Sequence, residues 1–156
     1  MPGEPASKND LCLTTRVTLT VVLPSTTTLQ KITAHFGSQE KRYLLSVYRN
    51  SKGEVIEKGD SDISVIGLYS DGVERQLTTD VLTFMSVDEK VVVVGPKFDK
   101  RYALATAVSV GETEIIVKQG ALSDHLTVKV INQNCPDNAL NKDGKLNYFK
   151  CTQVFK

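Results

Sequence analysis

Hydrophobic and polar residues alternate along most of this chain. Leu11, Leu13, Val17, Leu19 and Val21 fall at odd positions, broken only by Thr15. Cys12, Thr14, Arg16, Thr18 and Thr20 fall at even ones. A period of two puts one face against a core and leaves the other wet, so this segment reads as a strand. Pro24-Ser25-Thr26-Thr27-Thr28 ends it, and Leu29 to Phe36 reads as a second short strand. Gly37 to Arg42 is a polar connection. The segment 1–42 is therefore expected to form an arm and strand pair additional to the main body.

From Tyr43 the pattern becomes regular. Strands are expected at 43–48, 54–57, 62–69, 73–77, 81–86, 91–94, 102–108, 113–118 and 122–131, separated by Gly-, Asn- and Asp-containing turns. Ser70-Asp71-Gly72 is the strongest hairpin signal, because few residues besides Gly, Asn and Asp accept the positive φ of such turns. Val91 to Val94 is a continuous apolar run and is expected to be buried on both faces. Short strands at roughly 8–12-residue spacing predict a sandwich or barrel. No window of helical periodicity competes. After Ile131 the composition turns polar, and a tail over 132–156 ends with Tyr148, Phe149, Val154 and Phe155.

Composition narrows the function classes. The chain has 156 residues, 40% hydrophobic and 24% charged, enough for one packed domain with length to spare. Nineteen basic and 18 acidic residues leave a net charge of +1. That balance argues against nucleic-acid coating and against polybasic membrane binding. No apolar run approaches the ~18 residues of a membrane span. Val17 to Leu23 is short and threonine-rich, and it reads as a strand rather than a signal-peptide core.

Three cysteines, Cys12, Cys135 and Cys151, leave two readings open. All are ordinary thiols, or Cys135 and Cys151 close a loop in the tail where the medium is oxidising. Catalytic signatures do not occur: there is no Gly-x-Ser-x-Gly, no dinucleotide-binding glycine motif and no phosphate loop. Asn141-Lys142-Asp143-Gly144 resembles a calcium loop, but with Gly144 sixth, Ala139 and Lys150 occupy the positions that need ligands. It reads as a turn. Asp60, Asp62, Asp71 and Glu74 read as solvated turn carboxylates, and Lys97, Lys100 and Arg101 as a charged loop tip. The expectation is a protein without enzymatic activity, cofactor or metal.

The ordered set from Tyr43 to Ile131 resembles the bacterial immunoglobulin-like domain of group 2. The set comprises Gly59-Asp60, Tyr69-Ser70-Asp71-Gly72, Asp80 to Asp88, Val91 to Val94, Ala103 to Ala107, Gly111-Glu112-Thr113 and the last strand from His125 to Val130. Phe84 stands where that family carries a core tryptophan. The resemblance implies an all-β, immunoglobulin-like β-sandwich over 43–131, with an extra N-terminal strand or hairpin arm and a C-terminal tail. It supplies no catalytic residues.

Such domains occur in phage virion proteins and in bacterial adhesins. An initial Met without an export signal, a single sandwich and two long termini point to a virion component, a capsid decoration or tail-surface protein. Its expected partners are other virion proteins (major capsid or tail subunits), further copies of itself and a host-surface glycan. The docking residues expected are Leu11, Leu13, Val17, Leu19 and Val21 of the arm, with Tyr148, Phe149 and Phe155 of the tail. The alternative is an immunoglobulin-like module of a cell-surface adhesin or exported carbohydrate-active protein, which calls for an oxidised Cys135–Cys151 pair.

Overall fold

Alternation decides which side chains meet. Ile115 and Val117 on one strand, and Leu126, Val128 and Val130 on the next, are all buried, while Glu114, Lys118 and Lys129 between them are exposed. The computed structural model describes residues 27–37 and 42–153. Its strands are β1 (Leu29–Phe36), β2 (Arg42–Arg49), β3 (Val55–Lys58), β4 (Asp60–Tyr69), β5 (Glu74–Gln76) and β6 (Thr83–Ser86). They continue with β7 (Val92–Pro96), β8 (Ala103–Ala107), β9 (Gly111–Gln119), β10 (Leu122–Asn134) and β11 (Thr152–Gln153). Short 3₁₀ turns at Thr79–Val81, Asp137–Ala139 and Tyr148–Lys150 are the helical pieces among the described residues.

These strands form a β-sandwich, as the spacing predicts. The six-stranded sheet runs β3-β2-β10-β9-β6, with β11 added alongside β10. The five-stranded sheet runs β1-β4-β8-β7, with β5 added alongside β4. β2 and β10 pair in parallel, Thr127 opposite Arg42 through Asn134 opposite Arg49, and the other pairings are antiparallel. One core lies between the sheets. Ile32, Ala34 and Phe36 come from β1, Leu45 and Val47 from β2, Ile63 and Val65 from β4, and Ala103, Ala105 and Ala107 from β8. Phe84 packs half-buried against this core.

Three expectations change. Leu29–Phe36 is not additional to the sandwich: it is a strand of the second sheet, paired from Leu29 opposite Tyr69 to Phe36 opposite Ile63. Its far side is tied down too, because the Ala34 N–H donates to Asp124 Oδ2 of β10 at 2.7 Å. Val91 to Val94 is not buried on both faces. Val92 faces the core and is buried, whereas Val93, on the opposite face of β7, is exposed. The last long strand runs on to Asn134, three residues beyond Ile131, because β2 continues beside it.

The chain crosses between sheets at Gly59. Its N–H donates to Ser46 O at 2.7 Å in the first sheet, and its carbonyl accepts from the Ala107 N–H at 2.9 Å in the second. A Cβ there would sit 2.9 Å from Ser46 O, a backbone atom that cannot move aside. Gly59→Ala is therefore expected to cost roughly 1–3 kcal/mol, read as a lower urea midpoint at an unchanged slope. Gly72 serves a different need. Its φ is +81°, and its N–H donates to Tyr69 O at 2.9 Å to close the hairpin between β4 and β5.

Candidate functional site

Of the cysteine readings left open, the structure takes the paired one. Cys135 leaves β10 with its N–H donating to Arg49 O at 2.7 Å. Sixteen residues later Cys151 returns, and the two sulfurs are bonded at 2.10 Å with Cα atoms 4.2 Å apart. Between them the tail builds its own small structure. Asn141 Oδ1 accepts from the Asp143 and Lys145 N–H groups, which makes Asn141-Lys142-Asp143-Gly144 a side-chain-bound turn. Leu140 and Leu146 bridge across it. Cys135, Ala139 and Leu146 are buried together, with Tyr48, Ile56 and Cys151 packed around them. The tail thus docks on its own β2–β3 hairpin.

Tyr148 and Phe149, both expected at a partner contact, part company here. The Tyr148 ring lies edge-on to Tyr48 with centroids 5.1 Å apart. Its hydroxyl donates to the Glu57 carboxylate. Phe149 is fully exposed, its backbone fixed by the Asn147 side chain, which accepts the Phe149 N–H at 3.1 Å. The Glu57 hydrogen bond favours the protonated phenol and pushes the Tyr148 pKa from 10.0 up to about 12. The contribution is fully present below pH 10.0 and is lost as pH rises toward about 12. In an ultraviolet titration one tyrosine is expected to ionise last, near 12, and Tyr148→Phe to delete that step. Leu11, Leu13, Val17, Leu19, Val21 and Phe155 lie outside the described residues.

The charged loop after β7 is also tied to its own domain. Lys97 Nζ reaches Asp62 Oδ1 at 2.6 Å. Arg101 grips both oxygens of Asp99, the shortest contact being 2.7 Å, and holds that carboxyl down at about 2. Gln76 Nε2 donates to Arg101 O at 3.0 Å, and the Thr79 N–H donates to Lys100 O at 2.8 Å. Phe98 stands fully exposed at the tip. Of the acidic set, Asp62 is taken by Lys97 and Asp71 by Arg75 at 3.0 Å, so these two carboxylates already have cations. His125 lies 3.7 Å from Glu114, and His35 contacts Ser64 Oγ at 3.2 Å. Ser64 carries no sequence signal of function. It meets His35 only because β1 and β4 pair in this register.

No family model matches the chain, and no curated protein matches it. Solved structures similar to it include two of S-layer proteins. One is the crystal structure of the S-layer protein SbsC domains 4 and 5, at 16% identity and a TM-score of 0.45, covering 67% of this chain and 46% of that one. The other is the S-layer protein rSbsC(31-844), at 14% identity and a TM-score of 0.44, covering 77% of this chain and 17% of that one. The chain spans less than half the length of either structure.

Proposed function

We propose that this chain is a non-enzymatic structural and binding module that works outside the cytoplasm, as an immunoglobulin-like unit of a bacterial surface or exported protein. The observation that carries this reading is the Cys135–Cys151 bond. Cytosolic thiols are kept reduced, whereas surface and secreted domains keep such bonds. The groups that sequence offers for chemistry are spent on structure. Asp62, Asp71, Lys97 and Arg101 fasten turns and strands to one another. Within this reading Phe149 is the tail's outward contact for a neighbouring domain or subunit, because Tyr148 is committed to Glu57.

Quantitative mass spectrometry of the outer cell fraction, the cytosol and density-purified phage particles tests this assignment. The module is expected in the outer fraction and depleted from the cytosol. A purely cytosolic chain overturns the proposal. A fixed high copy number per particle replaces it with the virion role, since a particle also meets an oxidising medium.

A further inference from the structure

The described chain enters the sandwich at one end and leaves it at the other. Thr28 is pinned beside the β4–β5 hairpin. Its N–H donates to Ser70 Oγ at 2.9 Å, and its carbonyl accepts the Ser70 N–H at 2.8 Å. From there β1 and β10 run the same way. Ala34 lies level with Asp124, and farther on Phe36 meets Tyr43, which stands opposite Val128. Cys135, at the close of β10, therefore lies at the far end from Thr28.

A pull between these ends acts along the strands, not across them. β1 is drawn backward along its own axis, against its whole row of pairings from Leu29–Tyr69 to Phe36–Ile63. Behind it, the load reaches β2 at Arg42, while β10 is drawn the other way at Asn134. These two strands are parallel and paired from Arg42–Thr127 to Arg49–Asn134. Interstrand hydrogen bonds lie across the strand direction, so a pull along it loads the whole row together. A pull across the strands opens the same row one bond at a time.

The tail is the weak point of this path. β11 turns back along β10 with Thr152 opposite Asn134 and Gln153 opposite Gln133. A pull on Gln153 away from the sandwich peels these pairs singly. Next in line is the segment 136–150, whose buried cluster is no more than Ala139 and Leu146 against Cys135. The Cys135–Cys151 bond takes that segment out of the path. Load passes from Cys151 through the two sulfurs to Cys135 and straight into β10. Tyr148 then keeps its Glu57 partner, and Phe149 its outward place, while the chain is under tension.

We propose that this module bears tension between its two ends, with β1–β4 and β2–β10 as the load-bearing pairs and the disulfide as a bypass that keeps the tail folded. The proposal rests on the reading of a structural module and goes further by naming the load. Its failure is distinguishable from a failure of that reading, because force is applied to purified protein whereas the compartment is read by fractionation.

The experiment is single-molecule force-clamp spectroscopy of the full oxidised chain held at its two termini. The comparison holds the same chain at its N-terminus and at the exposed Ala121 in the β9–β10 turn, which lies at the Thr28 end. That second geometry pulls strands apart sideways. At equal force the end-to-end chain is expected to survive at least about tenfold longer, since forced unfolding follows the unfolding rate. Reduction supplies a second readout. The cysteines have a sequence separation of 16, so the reduced chain is expected to yield roughly 50 Å of tail in an early step, with the later lifetime of the sandwich unchanged. The oxidised chain is expected to lack that step. Equal lifetimes in the two geometries would overturn the load-bearing assignment. A reduced tail that yields only together with the sandwich would overturn the bypass.

Discussion

Phe36→Ala is expected to destabilise the domain by about 3–5 kcal/mol, the range for truncating a buried aromatic. Phe36 is fully buried, its ring centre lies 5.1 Å from that of Tyr43, and it stands opposite Ile63 in the sheet. The truncation leaves a cavity in the core between the sheets, whose paired strands resist collapse into the space. Equilibrium urea unfolding reads the result as a large drop in midpoint. The prediction also tests the domain boundary. Were Leu29–Phe36 an arm folding on a partner, the same substitution would leave the stability of the isolated chain within about 0.5 kcal/mol, as for surface changes.

Cys151→Ser is expected to cost about 3 kcal/mol, and its thermal midpoint to fall by about 10 °C. The bond closes a loop with a sequence separation of 16. A loop of that size loses chain entropy when cross-linked, which destabilises the unfolded state. Cys151 is the better partner to replace, because Cys135 is buried and a serine hydroxyl there would lose water as well. The tail should loosen first. Its own buried cluster is only Cys135, Ala139 and Leu146, against the long list of core residues between the sheets. Hydrogen exchange is expected to speed up at Asn147 and Cys151, whose N–H groups bond to Ala139 O and Tyr148 O, while Val117 and Val128 stay protected.

The sandwich was legible in the sequence because alternation and turn chemistry agree. Ile115, Val117, Leu126, Val128 and Val130 announce their buried face, and Asp71-Gly72 announces its hairpin. Pairing was less legible. The pattern Ile32, Ala34, Phe36 alternates correctly, but nothing local says that its partner is β4 some thirty residues on. Val91 to Val94 misleads for a related reason: an apolar run reads as doubly buried, and only the packing of the two sheets reveals that the Val93 face of β7 is open while the Val92 face is covered. In the tail, the spacing of Cys135 and Cys151 allows a bond without requiring it. The parallel pairing of β10 with β2, which carries Cys135 onto the β2–β3 hairpin, is a tertiary fact.

A disulfide-clipped module acting outside the cytoplasm, as proposed, keeps Cys135 and Cys151 joined where it works. The direct measurement is alkylation of protein taken from its native compartment under non-reducing, acid-quenched conditions, followed by peptide mass spectrometry. A linked pair of peptides carrying Cys135 and Cys151 is expected, with neither residue alkylated. Recovery of both cysteines as alkylated free thiols would contradict it.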